Sequence, residues 1–232
     1  MSDPRQDLAL GYRILGMYGL GLGMLGHLTA RQPGSTTFWT YQFGQSMEEV
    51  RVPDLREVDF ELNVVSGDGV INPSLRLHGE IYRARPDVLC IAHHHGDNAV
   101  ALGALNQNLL PFDRNAARWS GQIDLTRDIE SLPLAEQGPA VTKILGAKKA
   151  LLMRHHGVLV TGASIKDTVV STIELERSCG VQLLVQAAGK PVLMTDPEIE
   201  DSRILGSDLV VSGSWDYHCR TLHRRGLDQD ID

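Results

Sequence analysis

Cysteine is scarce in these 232 residues. Cys90, Cys179 and Cys219 stand far apart, with no CxxC spacing. That excludes a disulfide scaffold and a thiolate metal site, and it fits a reduced cytoplasmic compartment. Positive charge is also short: 22 Lys and Arg against 29 Asp and Glu give a net charge of −7. Nucleic acid and anionic membrane both select a basic face, so neither is expected as a partner. No apolar run reaches the roughly 18 residues of a membrane span. The opening MSDPRQDLAL has neither the basic segment nor the apolar core of a signal peptide. Linkers, internal repeats and low-complexity segments are missing too. A single domain over residues 1–232 is therefore expected, and 42% hydrophobic residues at this length suffice for one core.

One abundant motif proves empty. GLGLGMLG contains a literal GxGxxG at Gly21, Gly23 and Gly26. A dinucleotide site needs a strand before that motif and a helix after it. Here Leu8, Leu10, Ile14, Leu15 and Tyr18 mark a helix before it, and HLTARQPG reads as a short strand after it. The order is reversed, and the dinucleotide reading fails.

Helical and extended segments then interleave. Residues 36–43 and parts of MEEVRVPDLREVDFELNVVSGDG read as short strands closed by the turn Ser66-Gly67-Asp68-Gly69. Asn72-Pro73-Ser74 opens a helix capped by Ser74, with Leu77, Ile81 and Tyr82 as its apolar stripe and Arg85-Pro86-Asp87 as its stop. VLCIAHHH is a strand and DNAVALGALNQ a helix. LLPFDRNAARWSGQI reads as irregular, AEQGPAVTKILGAKKA as helical and ALLMRHHGVLVTG as one buried strand. SIKDTVVSTIELERSCGVQLLVQAAG reads as a long amphipathic helix, and GSWDYHCRTLHRRGLD as another that docks near the end of the chain. The pattern predicts an α/β fold with a mixed sheet.

The histidines carry the chemistry. On a strand successive side chains alternate, so His93 and His95 share a face and His94 points away. Two imidazoles one residue apart suit a divalent ion, and Arg154-His155-His156-Gly157 can supply a third ligand. Without a metal these are hydrogen-bonded or surface histidines at strand ends. His27, His218 and His223 stand alone and read as structural.

LHGEIYRARPDVLCIAHHH, ALLMRHHGVLVTG and ELERSCGVQ follow one another in the order of the class II aldolase/adducin family, and GHLTARQPG and MEEVRVPDLREVD resemble its opening segments. The resemblance covers most of the chain. It implies a single three-layer α/β/α domain around a mixed, largely antiparallel sheet. It also implies a homotetramer with active sites near subunit interfaces. A divalent ion (zinc, manganese, iron or cobalt) would be held by the outer histidines of HxH and the histidine before the later glycine, here His93, His95 and His156.

The chain departs from the family's sugar-phosphate aldolases. Their Ser-Ser-Glu segment, whose Glu moves the proton, falls on Asn72-Pro73-Ser74, so the Glu position is Ser74, a poor base. Asn72 and Pro73 replace phosphate-holding serines, Pro73 offers no N–H, and His27 stands where the aldolases carry the Asn of GNxS. A phosphorylated substrate is thus disfavoured. His78, one turn beyond Ser74, either moves a proton or orients a neighbouring loop. Arg76, Arg114 and Arg118 could fork onto a carboxylate or sit in exposed ion pairs. Tyr217 and His218 could cover this site or a neighbour's, and His155 or Asp97 could support the ligands.

The expected activity is a metal-dependent lyase, decarboxylase or aldolase, on a small non-phosphorylated hydroxy- or oxo-acid, aromatic acids included, through a metal-stabilised enolate. A non-haem iron oxygenase and a non-catalytic adducin-like interaction module are the alternatives.

Overall fold

Apolar residues at helical spacing build the first element, α1 (Pro4–Met17), and seal Leu8, Tyr12, Ile14 and Leu15 from water. The computed structural model describes residues 4–21 and 23–232. After α1 come β1 (His27–Ala30), β2 (Thr37–Tyr41), β3 (Leu55–Asp59), β4 (Val64–Ser66) and α2 (Arg76–Ala84). Then follow β5 (Cys90–His94), α3 (Asp97–Ala104), α4 (Arg114–Ala117), β6 (Ile123–Thr126) and α5 (Leu134–Leu145). The chain closes with β7 (Ala150–Met153), β8 (Gly157–Gly162), α6 (Ile165–Ala188), α7 (Asp196–Ser202) and α8 (Asp208–Arg224). Gly21, Gly23 and Gly26 lie between a helix and a strand in the order that excludes a dinucleotide loop.

The strands form one eight-stranded sheet in the order β4-β3-β2-β1-β5-β8-β7-β6, antiparallel except for the pair β6 and β7. Helices α2 and α5 cover one face, with Ile91, Leu151, Leu159, Ile81 and Val141 between them and the sheet. Helices α1, α3, α6 and α8 cover the other, over Cys90, Ala92, Val158 and Val160. Each fully buried Val, Leu or Ile in these layers stabilises the fold by about 1.5–3 kcal/mol. The expected three-layer α/β/α arrangement is what the chain adopts. No helix among the described residues is long and apolar enough to cross a membrane.

Four local expectations are corrected. ALLMRHHGVLVTG is a hairpin, not one strand: β7 and β8 pair antiparallel, Met153 opposite Gly157. His155 makes the turn by adopting a left-handed φ of 61°. The stretch read as irregular contains α4 and runs into β6, a short edge strand with only one neighbour. The helix cap is Asn72, not Ser74. Its side chain accepts the Ser74 N–H at 3.0 Å over a 3-10 turn (Pro73–Leu75), and α2 begins at Arg76. In the MEEVRVPD segment the chain makes 3-10 turns at Met47–Glu49 and Val52–Asp54 instead of strands.

Candidate metal centre

β5 runs down the middle of the sheet between β1 and β8, so its side chains alternate between two helix-covered faces. Ile91 and His93 face the layer of α2 and α5, while Cys90, Ala92 and His94 face that of α1 and α6. His95 follows just beyond the strand, and His156 comes from the β7–β8 turn, where its N–H bonds the Met153 carbonyl at 3.0 Å. The ring centroids of His93 and His95 lie 4.7 Å apart, His93 and His156 4.9 Å, His95 and His156 5.1 Å. One nitrogen from each of the three falls within 4.8 Å of the others.

The donor set fits a divalent ion. The Nε2 atoms of His93 and His95 are 3.1 Å apart. Two imidazoles on one tetrahedral zinc at about 2.0–2.1 Å have nitrogens roughly 3.3 Å apart. The outer Nδ1 atoms of both rings are enclosed, with no hydrogen-bond partner among the described residues. His27, paired with His93 across β1 and β5, places its ring 4.9 Å from His93.

Behind the strand, Glu176 of α6 fixes the chain as it leaves the histidines. Its carboxylate accepts the N–H of Asn98 at 2.8 Å and of Ala99 at 3.1 Å, two donors that the first turn of α3 cannot satisfy itself. Burial raises its pKa, and those N–H donors oppose the shift.

The structure sorts the other residues named from sequence. His27, Ser74, Arg76, His93 and His156 line one cleft, with Gln137, Val141 and Met153 opposite. His78 does not share an open face with Ser74. It is fully buried, its Nδ1 lies 2.7 Å from Thr29 Oγ1, and Thr29 in turn bonds the Tyr82 hydroxyl at 2.7 Å, so it belongs to an interior polar chain. Asn72 is spent on its cap. Arg114 lies away from the cleft, donating to the Asp201 carbonyl at 3.3 Å, and Arg118 is buried against Glu174 and Ser171. Tyr217 is half exposed on α8 and does not line this chain's cleft; His218 bonds the Tyr18 hydroxyl at 3.0 Å. His94 points away from His93, His95 and His156 as expected, but into the protein, with its Nδ1 accepting the Gly96 N–H at 3.1 Å. His155 is exposed beside Arg154, and Asp97 is exposed. Gln137 and Gly138 of α5 were not legible as site residues, because nothing local in AEQGPAV marks which helical face meets the cleft.

Burial, with help from neighbouring imidazoles, depresses the basicity of His27, His78, His93, His94 and His95. His94 falls from 6.5 to about 3 and His95 to about 4. The rings are therefore neutral, as ligands must be. A depressed folded pKa means the folded chain binds fewer protons, so this stability is full above pH 6.5. It is lost as pH falls toward 4 and then 3. Each such group adds up to about 1.4 kcal/mol per pH unit. Chelator-treated protein is expected to lose roughly 10 °C or more of its melting temperature between pH 7 and pH 5. Calorimetry at both values tests it, and a flat profile contradicts the buried neutral cluster.

The comparisons agree with this fold. The family described as "Class II Aldolase and Adducin N-terminal domain" matches residues 6–183. The decarboxylase NovR of Streptomyces niveus is 30% identical over 215 residues, 90% of this chain and 78% of that one. The 4-hydroxy-3-prenylphenylpyruvate oxygenase/4-hydroxy-3-prenylbenzoate synthase of Streptomyces roseochromogenus subsp. oscitans is 30% identical over 171 residues, 72% of this chain and 62% of that one. The L-fuculose 1-phosphate aldolase structure from Glaciozyma antarctica PI12 superposes with a TM-score of 0.88 at 27% identity, covering 98% of this chain and 91% of that one. With its fold and 178 matched residues, this chain belongs to the class II aldolase and adducin family.

Proposed function

We propose that the chain, acting as one domain, is a divalent-metal-dependent carbon–carbon lyase for a small non-phosphorylated hydroxy- or oxo-acid. The observation that carries this reading is the convergence of His93, His95 and His156 beside a cleft that His93 and His156 line and whose wall holds Ser74 where aldolases place Glu. A divalent ion there (zinc, manganese, iron or cobalt) supplies Lewis acidity at a carbonyl or hydroxyl oxygen and offsets the charge left when the bond breaks.

The chain's own residues favour decarboxylation over aldol cleavage. No Asp or Glu lines the cleft among the described residues, so no carboxylate stands ready to take a hydroxyl proton. Loss of carbon dioxide needs no such base. Leu77, Ile129, Val141 and Met153 give the cleft apolar walls that keep bulk water away from the histidines. The name of the NovR relative agrees with this choice, and that of the Streptomyces roseochromogenus relative, an oxygenase, supports the second reading, oxygenation with iron as the metal. A homotetramer in a reducing cytoplasm belongs to the same proposal. The free thiols Cys90, Cys179 and Cys219 and the exposed apolar Leu184, Val192 and Leu209 support it.

The test is turnover of a panel of hydroxy- and oxo-acids by metal-reconstituted protein, under nitrogen and under air. Release of carbon dioxide or of an aldehyde fragment is expected at equal rates in both gases, abolished by chelator and restored by added metal. Turnover under air alone assigns the oxygenase. No turnover with any acid leaves an adducin-like binding module.

A further inference from the structure

Two hollows meet at Arg76 and Gly138. The histidine cleft measures about 60 Å³, room for a few heavy atoms only. Beside it lies a groove of about 450 Å³ walled by Phe60, Ala135 and Pro139, with Glu61, Glu80 and Arg83 on its rim. Arg76 and Gly138 line both. Gly138 lets α5 cross close to α2, since a Cβ there would lie 2.9 Å from Glu80 Cγ.

Two guanidiniums, Arg76 and Arg83, and two carboxylates, Glu61 and Glu80, line this groove, but they are not shared evenly. Arg83 pairs with both nearby carboxylates, Glu61 and Glu80. Arg76 has no hydrogen bond or ion pair among the described residues, although it stands exposed at the mouth of a cleft lined with imidazoles. An unpaired guanidinium presents a planar fork that matches a carboxylate. The groove beyond it offers an aromatic ring, Phe60, and two small apolar residues to whatever extends past that carboxylate.

We infer that the two hollows are one substrate site, in which Arg76 holds the carboxylate of the acid and the outer groove takes a ring-sized tail. The inference rests on the lyase reading above and narrows its substrate class. Short acids such as lactate leave the groove empty, whereas an aryl-bearing hydroxy- or oxo-acid fills it. Arg76 is thus a specificity residue, distinct from the three histidines.

Calorimetric binding to metal-reconstituted protein tests this with three probes lacking a cleavable bond: 3-phenyllactate, lactate and 3-phenyllactamide. Phenyllactate is expected to bind at least roughly tenfold more tightly than lactate, which lacks the tail, and than the amide, which lacks the charge. Arg76→Gln should erase the second ratio and leave metal content unchanged, and Arg76→Lys should keep part of it. Equal binding of phenyllactate and lactate, an unaltered Arg76→Gln variant, or no binding by metal-loaded protein would each overturn the inference. Metal analysis of the same samples separates the two layers. Protein that holds its ion but ignores Arg76 sinks this inference alone, and protein that holds no ion sinks the lyase reading with it.

Discussion

His95→Ala should strip the protein of its divalent ion and of turnover while leaving the fold standing. His95 lies past the end of β5 and is only partly buried, so its loss removes no strand pairing. His93 is a poorer choice, because it is 3% exposed, lies within β5 and packs against His27. Removing one of three imidazoles leaves two, too few for a protein site that must also keep an open position. Loss of a mere outer partner weakens metal binding about 10–100-fold, so loss of a ligand should exceed about 100-fold. The melting temperature of the metal-free variant should stay within a few degrees of metal-free wild type, as expected of a change outside the packed core. Metal titration and calorimetry on both proteins check the pair of statements. A variant that still binds one equivalent would move the metal elsewhere.

Gly157→Ala should strike fold and site together. A Cβ at Gly157 would lie 2.4 Å from the His94 carbonyl oxygen, 3.0 Å from His95 Cδ2 and 3.4 Å from His93 Cε1. Backbone cannot yield at the first of these contacts without opening the β5–β8 pairing. That pairing sets His93 opposite Leu159 and His94 opposite Val158. Overpacking of this kind costs about 1–3 kcal/mol, which for a chain of this length lowers the melting temperature by roughly 3–10 °C. The strand shift also spreads the histidines, so metal affinity should fall with stability. Gly213→Ala in α8 is the control. Nothing lies within 4 Å of its Cβ, and alanine there should be neutral or stabilise by up to about 1 kcal/mol. If both variants melt like wild type, the close approach at Gly157 is not what holds the histidines together.

Much of the site was legible because it rests on strand geometry. HxH on a strand puts His93 and His95 on one face whatever surrounds it, and the structure joins them. His94 was harder. Alternation says that it points the other way, but only the packing of α6 decides that the other way is interior. The choice of His156 over His155 came from family resemblance, and its physical basis is the turn, where the left-handed backbone at His155 turns that side chain out to solvent. The hairpin itself was hidden, since Arg-His-His carries none of the Asn-Gly or Asp-Gly chemistry that announces a tight turn. Asn72 and Ser74 are both good caps, and a 3-10 turn that takes in Ser74 leaves Asn72 as the one that works. The meeting of Arg76 and Gly138 joins helices 62 positions apart, and no local pattern encodes that.

The most direct measurement is the metal content of untagged, reconstituted protein, combined with X-ray absorption at the metal edge. Close to one equivalent per chain is expected, with three imidazole nitrogens around the ion. No metal after reconstitution, or an ion without three imidazoles, would contradict this expectation.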